Sequence, residues 1–134
     1  MKKKVILFAV MQIDLKHTLV ILRPDGVVQM NCTDRTYNKQ DIIDLIEAQV
    51  ELSKGEKKLV LVIGSEDTNV ESEARELMAK EESTMHSIAE AYVIKSLGQR
   101  ILVNFYIKVS KPKVPTMFFT NVSAAEKWLK SFVN

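Results

Sequence analysis

The side chains that commonly carry out catalysis or bind metals are few in this sequence and lie far apart. His17 and His86 are the two histidines, and neither stands in a recognisable motif, so we expect neither a general base nor a metal ligand. Cys32 is the single cysteine, which excludes an intramolecular disulfide and a cysteine-based zinc site. Because Cys32 ends a β-rich run, we expect a small buried apolar residue rather than a nucleophile. The sequence therefore predicts no enzyme, no metal and no cofactor.

Acidic side chains cluster just after an apolar run at residues 58–64. Glu66, Asp67 and Glu71 lie close to the start of a predicted helix, where carboxylates complement the helix dipole. Their spacing does not match a calcium-binding loop, and the four glycines of the chain form no phosphate-binding motif. We interpret these carboxylates as helix-capping groups.

Glu90 is a different kind of acidic residue, because it lies within a predicted buried strand. A carboxylate in that position is costly unless it is paired. We expect Arg75 or Arg100 to pair with Glu90, or else this part of the strand to face solvent.

Length and composition fit one globular domain, since 46% of the 134 residues are hydrophobic and 27% are charged. The net charge of +2 and the pI near 8.6 are too low for a dedicated nucleic-acid binder. The charge is unevenly distributed: residues 1–94 carry 12 basic and 16 acidic side chains, giving −4, and residues 95–134 carry 7 and 1, giving +6. Such polarity can steer self-association or orient a protein at an anionic surface.

The N-terminus superficially resembles a signal peptide, with three lysines before a short apolar run at residues 5–13. Asp14 and Lys16 end that run too soon, and no small-residue cleavage site follows. Nine residues are also too few to cross a bilayer as a helix, which needs roughly 20. We therefore expect an edge strand or an ordered arm, no transmembrane segment and a cytoplasmic location.

Turn, cap and periodicity signals divide residues 17–134 into strands and helices. Gly26 marks a hairpin turn between two β-rich runs. Asn38 precedes a helix with isoleucines at helical spacing, and Gly55 ends it. The unbroken apolar run at 58–64 is typical of a strand covered on both faces in a parallel sheet. The remaining predicted elements are a charged helix at 70–82, strands at 88–95 and 116–120, and a final amphipathic helix.

The apolar run at residues 96–109 fits two structures. Its alternating pattern fits a half-buried strand. In a helix, by contrast, Arg100, Asn104 and Lys108 would form one narrow polar stripe on an apolar cylinder. We favour the helix, because the parallel strands on either side need a crossover between them.

The predicted order, ββαβαβαβα, resembles the STAS-like fold of bacterial anti-sigma-factor antagonists and of small STAS/SEC14-like proteins of unknown function. The resemblance covers about residues 17–134 and is carried by the segments "EAQVELSKGEKKLVLVIG", "ESEARELMAKEE" and "SLGQRILVNFYIKVSKPKVPTMFFTNVSAAEKWL". It implies a single α/β domain with a mostly parallel sheet and an N-terminal hairpin, preceded by an N-terminal strand or arm at residues 1–16.

In the antagonists that this sequence resembles, a phosphorylated serine stands in an Asp-Ser-Ser-Gly-like turn after the central strand. That tetrapeptide is absent from this chain. Ser72 and Thr68 occupy the same general region and are the candidate regulatory phosphosites, but the residues that should flank such a site are missing. We therefore expect Ser72 not to be phosphorylated.

These observations predict a non-enzymatic regulatory or protein-interaction module that forms a homodimer. The alternative is a binder of an apolar small molecule or lipid, with a cavity between the sheet and the helix that begins near Ser96. A small enzyme is a third reading, for which no acid, base and nucleophile converge.

The predicted contact surface lies on the helix at residues 96–109 and on the Lys-Pro loop after it. An apolar patch on this helix would be covered by a partner or a ligand and rimmed by lysines. The side chains expected to pack on the sheet are Leu97, Ile101, Leu102 and Phe105. The residues expected to bind are Arg100, Val103, Tyr106, Ile107, Lys111 and Lys113.

Overall fold

The computed structural model describes residues 3–7 and 10–133 of the chain. Within these ranges the chain forms nine strands, five α-helices and one π-helical turn. The strands are β1 (Lys3–Leu7), β2 (Val10–Asp14), β3 (Thr18–Leu22), β4 (Val28–Cys32), β5 (Thr36–Tyr37), β6 (Lys58–Ile63), β7 (Asn69–Val70), β8 (Ser87–Val93) and β9 (Thr116–Phe119). The helices are α1 (Lys39–Ser53), α2 (Ser72–Ala79), α3 (Glu81–Thr84), α4 (Leu97–Phe105), the π turn (Tyr106–Ser110) and α5 (Val122–Lys130).

Seven of the strands form one mixed sheet in the order β1-β2-β3-β4-β6-β8-β9. The first four strands pair antiparallel, and β4, β6, β8 and β9 run parallel. The short strands β5 and β7 pair with each other in a separate ladder. A helix separates each pair of consecutive parallel strands of the large sheet. The predicted α/β class and the predicted helical crossover after β8 are therefore confirmed.

The N-terminal segment differs from its prediction. A single edge strand or arm is expected at residues 5–13, whereas the structure has two antiparallel strands whose register pairs Leu7 with Val10. β2 also pairs with β3 and so lies inside the sheet, where Ile13 is fully buried. The sequence hides this reversal, because residues 5–13 contain no glycine, proline, asparagine or aspartate to mark a turn.

Helices cover both faces of the large sheet. α1 and α2 pack on one face and form the larger apolar core with β2, β3, β4 and β6, in which Val20 and Leu52 are buried. α5 packs on the opposite face against β6 and β8, where Leu61 and Leu129 are fully buried. Among the described helices, none combines the length and the apolar character that a bilayer span requires.

α1 begins and ends where the sequence predicts. Asn38 Oδ1 accepts the N–H of Asp41 at 2.9 Å, and Asp41 Oδ2 accepts the N–H of Asn38 at 2.9 Å, which together make a capping box. At the other end, Gly55 has a φ of 78°, which glycine adopts without strain. The buried face of α1 includes Ile42, whereas Ile43 is 36% exposed.

Candidate functional site

An apolar cavity of about 130 Å³ lies between the parallel part of the sheet and helices α1, α2 and α4. Alternate residues of three neighbouring strands form its floor, because successive side chains of a strand point to opposite faces. The floor residues are Met30 and Cys32 of β4, Val60 and Val62 of β6, and Glu90 and Tyr92 of β8. The helices contribute Ile46, Met78, Leu102 and Val103.

Glu90 places a carboxyl group in this apolar cavity. Ser87 Oγ donates to Glu90 Oε2 at 2.8 Å, and the Tyr92 hydroxyl donates to Glu90 Oε1 at 3.0 Å. Gln49, which also lines the cavity, donates through Nε2 to Ser87 Oγ at 3.2 Å and to the His86 carbonyl at 3.1 Å. The cavity therefore carries a hydrogen-bonded polar group around Glu90, whereas most of its lining is apolar.

Burial dominates the electrostatics of this polar group. Glu90 is 7% exposed, and its burial raises the pKa of the carboxyl group above the ordinary value, although its two hydroxyl partners act in the opposite direction. Burial and then the charge of Glu90 raise the pKa of Tyr92 well above its ordinary value. Tyr106 is 3% exposed, and its hydroxyl has no hydrogen-bond partner among the described residues.

Neither arginine expected to pair with Glu90 does so. The guanidinium of Arg75 donates to the Val70 carbonyl and lies 5.7 Å from the ring centroid of Phe105. The guanidinium of Arg100 lies 5.7 Å from the ring centroid of Phe118. Glu90 instead accepts hydrogen bonds from the hydroxyl groups of Ser87 and Tyr92. The prediction of an arginine partner is wrong.

Gln99 fixes α4 over the cavity. Its Nε2 donates to the carbonyls of Ser65 at 2.6 Å, Thr68 at 3.1 Å and Glu66 at 3.2 Å, and its Oε1 accepts the N–H of Lys95 at 2.7 Å. Gln99 is 8% exposed. This buried amide therefore joins the start of α4 to the turn that follows β6.

The orientation of α4 differs from the predicted one: of the four residues expected on the sheet, only Leu102 lines the cavity. Leu97, Ile101 and Phe105, which are expected on the sheet, are 71%, 64% and 48% exposed. Tyr106, which is expected in the exposed patch, is buried. The helix is apolar on nearly every side, so the apolar pattern does not fix its rotation. The rotation is fixed by the buried Gln99, because its side chain is bonded to carbonyls of the turn after β6.

The predicted binding residues are consequently divided among different surroundings. Val103 lines the cavity and Ile107 is half-buried. Arg100, Lys111 and Lys113 are exposed. The structure does not bring these residues together as one patch. The exposed apolar surface is a different set, which follows the outer side of α4 and the π turn and consists of Leu97, Ile101, Phe105 and Val109; we call it the α4 stripe.

The two candidate phosphosites have different surroundings. Ser72 is exposed at the first position of α2. Thr68 is half-buried, and its hydroxyl donates to the Thr33 carbonyl at 2.7 Å and accepts the N–H of Ser65 at 2.8 Å. The Thr68 hydroxyl is thus already used to hold the turn after β6.

One cluster of ionisable side chains is not apparent from the sequence. His17 Nε2 lies 3.7 Å from Asp41 Oδ1 and 3.8 Å from Asp44 Oδ2. One imidazole nitrogen and two carboxylates are ligand types that zinc accepts. Asp41 already accepts two hydrogen bonds from the Arg35 guanidinium, each at 3.0 Å, and takes part in the capping box of α1. A metal there would have to displace an arginine next to a helix N-terminus.

Cys32 borders the cavity but is not activated. Burial raises the pKa of its thiol to about 11, so the reactive thiolate is scarce near neutral pH. The thiol therefore contributes bulk rather than reactivity to the wall of the cavity.

Comparison with known proteins identifies the family of the chain but assigns no activity. No curated protein and no solved structure matches this chain. A family described as a domain of unknown function, DUF7793, matches residues 20–133, and the chain belongs to this family.

Proposed function

We propose that this chain is a non-enzymatic binding protein that holds one small, mainly apolar molecule in the cavity beside α4. The observation that carries this proposal is the cavity itself, whose walls are mainly apolar and include a few buried polar side chains, Glu90 among them. Ligand sites are typically concave and mostly apolar, with a few polar groups that orient the ligand. A cytoplasmic location belongs to the same proposal and is supported by the single cysteine.

The size of the cavity limits the ligand. Its volume of about 130 Å³ is below the range of roughly 300–1,000 Å³ for drug-sized ligands. Apolar cavities of about 150 Å³ take up benzene. A single ring or a short chain fits this volume, whereas a lipid with full-length acyl chains does not.

The groups around the cavity support binding rather than catalysis. Neither histidine lines the cavity. The thiol of Cys32 is held in its neutral form at neutral pH. A reaction would need a base or a nucleophile within reach of the bound molecule, and the described lining residues offer no such pair.

The proposal is tested by titrating the chain with toluene and following backbone amide NMR signals. We expect saturable shifts confined to residues around the cavity. Val62→Phe should fill the cavity and abolish these shifts, whereas Ile43→Phe, on the outer side of α1, should leave them unchanged. Absence of saturable shifts in the wild-type chain would sink the proposal.

Self-association is a second candidate function, favoured by the α4 stripe. The stripe leaves four large apolar side chains of one helix face in solvent, and such faces commonly mark contact surfaces. Glu66 and Asp67 are exposed beside the start of α4, and Lys108 and Lys111 are exposed at the end of the π turn. Antiparallel packing of two copies would place these opposite charges together. We therefore propose a homodimer in which the α4 stripes of two copies face each other.

A further inference from the structure

We infer that the molecule bound in the cavity is a small amine, whose ammonium group contacts Glu90 while its apolar body fills the remaining volume. This inference rests on the proposed function, because it specifies the ligand of the same cavity. The carboxyl group of Glu90 lies at the cavity wall without a positively charged partner among the described residues.

The hydrogen bonds around Glu90 favour a donor as its further partner. Ser87 and Tyr92 each donate one hydroxyl to a different oxygen of the carboxylate. A carboxylate has about four acceptor positions, so each oxygen can accept another hydrogen bond. The arrangement therefore treats Glu90 as an acceptor, and a ligand that donates would complete its coordination.

The charges of the residues around the cavity also favour a ligand with an amino group. The described residues that line the cavity include no lysine, arginine or histidine. Glu90 is 7% exposed. A buried carboxylate without a cation is costly, and a cationic partner at hydrogen-bond distance offsets part of that cost. The surrounding titratable groups are Tyr92 on the same strand, Tyr106 on the π turn and Cys32 on β4, and none of them supplies a positive charge. An ammonium ion on the ligand would supply it.

The volume then sets the class of amine. About 130 Å³ accommodates one ring or a short alkyl chain together with the amino group. A polyamine does not fit this lining, because its second charge would meet mainly apolar side chains, such as those of Met78 and Val103, and no second carboxylate. The ligand is therefore a monoamine with an aromatic or branched aliphatic body.

The experiment compares three probes of nearly equal shape: benzylamine, benzyl alcohol and toluene. Their affinities are measured by amide NMR titration of the full chain. We expect benzylamine to bind at least about tenfold more tightly than toluene, a factor that corresponds to about 1.4 kcal/mol. Glu90→Gln should remove the preference, so that benzylamine no longer binds more tightly than toluene to that variant. Ser87→Ala, which keeps the carboxylate, should retain the preference.

The possible failures can be told apart. If toluene or benzyl alcohol binds to the wild-type chain as tightly as benzylamine, the inference about the amine is wrong and the apolar-ligand proposal stands. If none of the three probes binds, both proposals fail. The wild-type comparison does not depend on whether the Glu90→Gln variant folds.

Discussion

Replacing Gln99 by alanine should detach the start of α4 from the turn after β6. The Gln99 amide supplies two N–H donors, shared among three carbonyls, and one acceptor that binds the N–H of Lys95. A buried hydrogen bond contributes about 0.5–1.5 kcal/mol net to stability, so three such bonds contribute about 1.5–4.5 kcal/mol. Water can reach the exposed residue Glu66 after the change, which favours the lower half of this range. We expect Gln99→Ala to lower the free energy of unfolding by about 2–3 kcal/mol.

Urea denaturation followed by circular dichroism measures this loss directly. In a thermal scan the same change corresponds to a decrease in Tm of about 6–12 °C for a chain of this length. Gln40→Ala is the matched control, because Gln40 Nε2 donates only to Asp44 Oδ1 at 3.0 Å on the exposed side of α1. The control should change stability by less than about 0.5 kcal/mol.

Gln99→Glu is the sharper variant, since it keeps the shape of the side chain and replaces the amide donors by an oxygen. That oxygen would face the carbonyls of Ser65, Glu66 and Thr68, and a buried charge without a donor is more costly than a missing hydrogen bond. We expect at least the loss seen with alanine at neutral pH. A Gln99→Glu protein as stable as the wild type would refute the assignment of Gln99 as the residue that fixes α4.

Two further predictions concern the α4 stripe and the cavity wall. Ile101→Asp should leave the chain folded, because Ile101 is 64% exposed. Light scattering should show a dimer for the wild-type chain and a monomer for the variant. A variant that has the mass of a dimer would contradict antiparallel packing of the stripe. The Cys32 thiol, whose pKa is raised from 9.0 to about 11, should react with a disulfide reagent at pH 8 about a hundredfold more slowly than a free thiol of ordinary pKa, since two pKa units reduce the thiolate population by about that factor. A rate equal to that of the unfolded chain would show that the thiol is open to solvent.

Those parts of the fold that depend on local chemistry could be predicted from the sequence. The Asn38 cap and Gly55 mark α1 by their own backbone preferences, and the unbroken apolar run of β6 indicates a strand covered on both faces. Glu90 is also unusual from its position alone, because it is a carboxylate within a buried strand. Its hydroxyl partners, Ser87 and Tyr92, stand three residues before it and two after it, so the local sequence contains both donors.

The rotation of α4 and the cavity below it could not be predicted in this way. An apolar helix has several faces of similar hydrophobicity, and its rotation depends on contacts with residues that are distant in sequence. Gln99 binds carbonyls more than 30 residues earlier. His17 likewise meets Asp41 and Asp44 only through the packing of α1 beside β3. A cavity depends on how side chains from several elements pack together, and no single residue type indicates it.

The segment between the π turn and β9 has a consequence for aggregation. Among the described strands, β9 pairs only with β8 and forms an outer edge of the large sheet. An open edge can recruit a strand of another molecule, and proteins commonly prevent this with short edge strands, lysines and prolines. β9 has only four residues and directly follows a segment with Lys111, Pro112, Lys113 and Pro115. Two charges and two residues without an N–H group would oppose extension of the sheet into a neighbouring molecule, so this short loop protects the chain from edge-to-edge assembly.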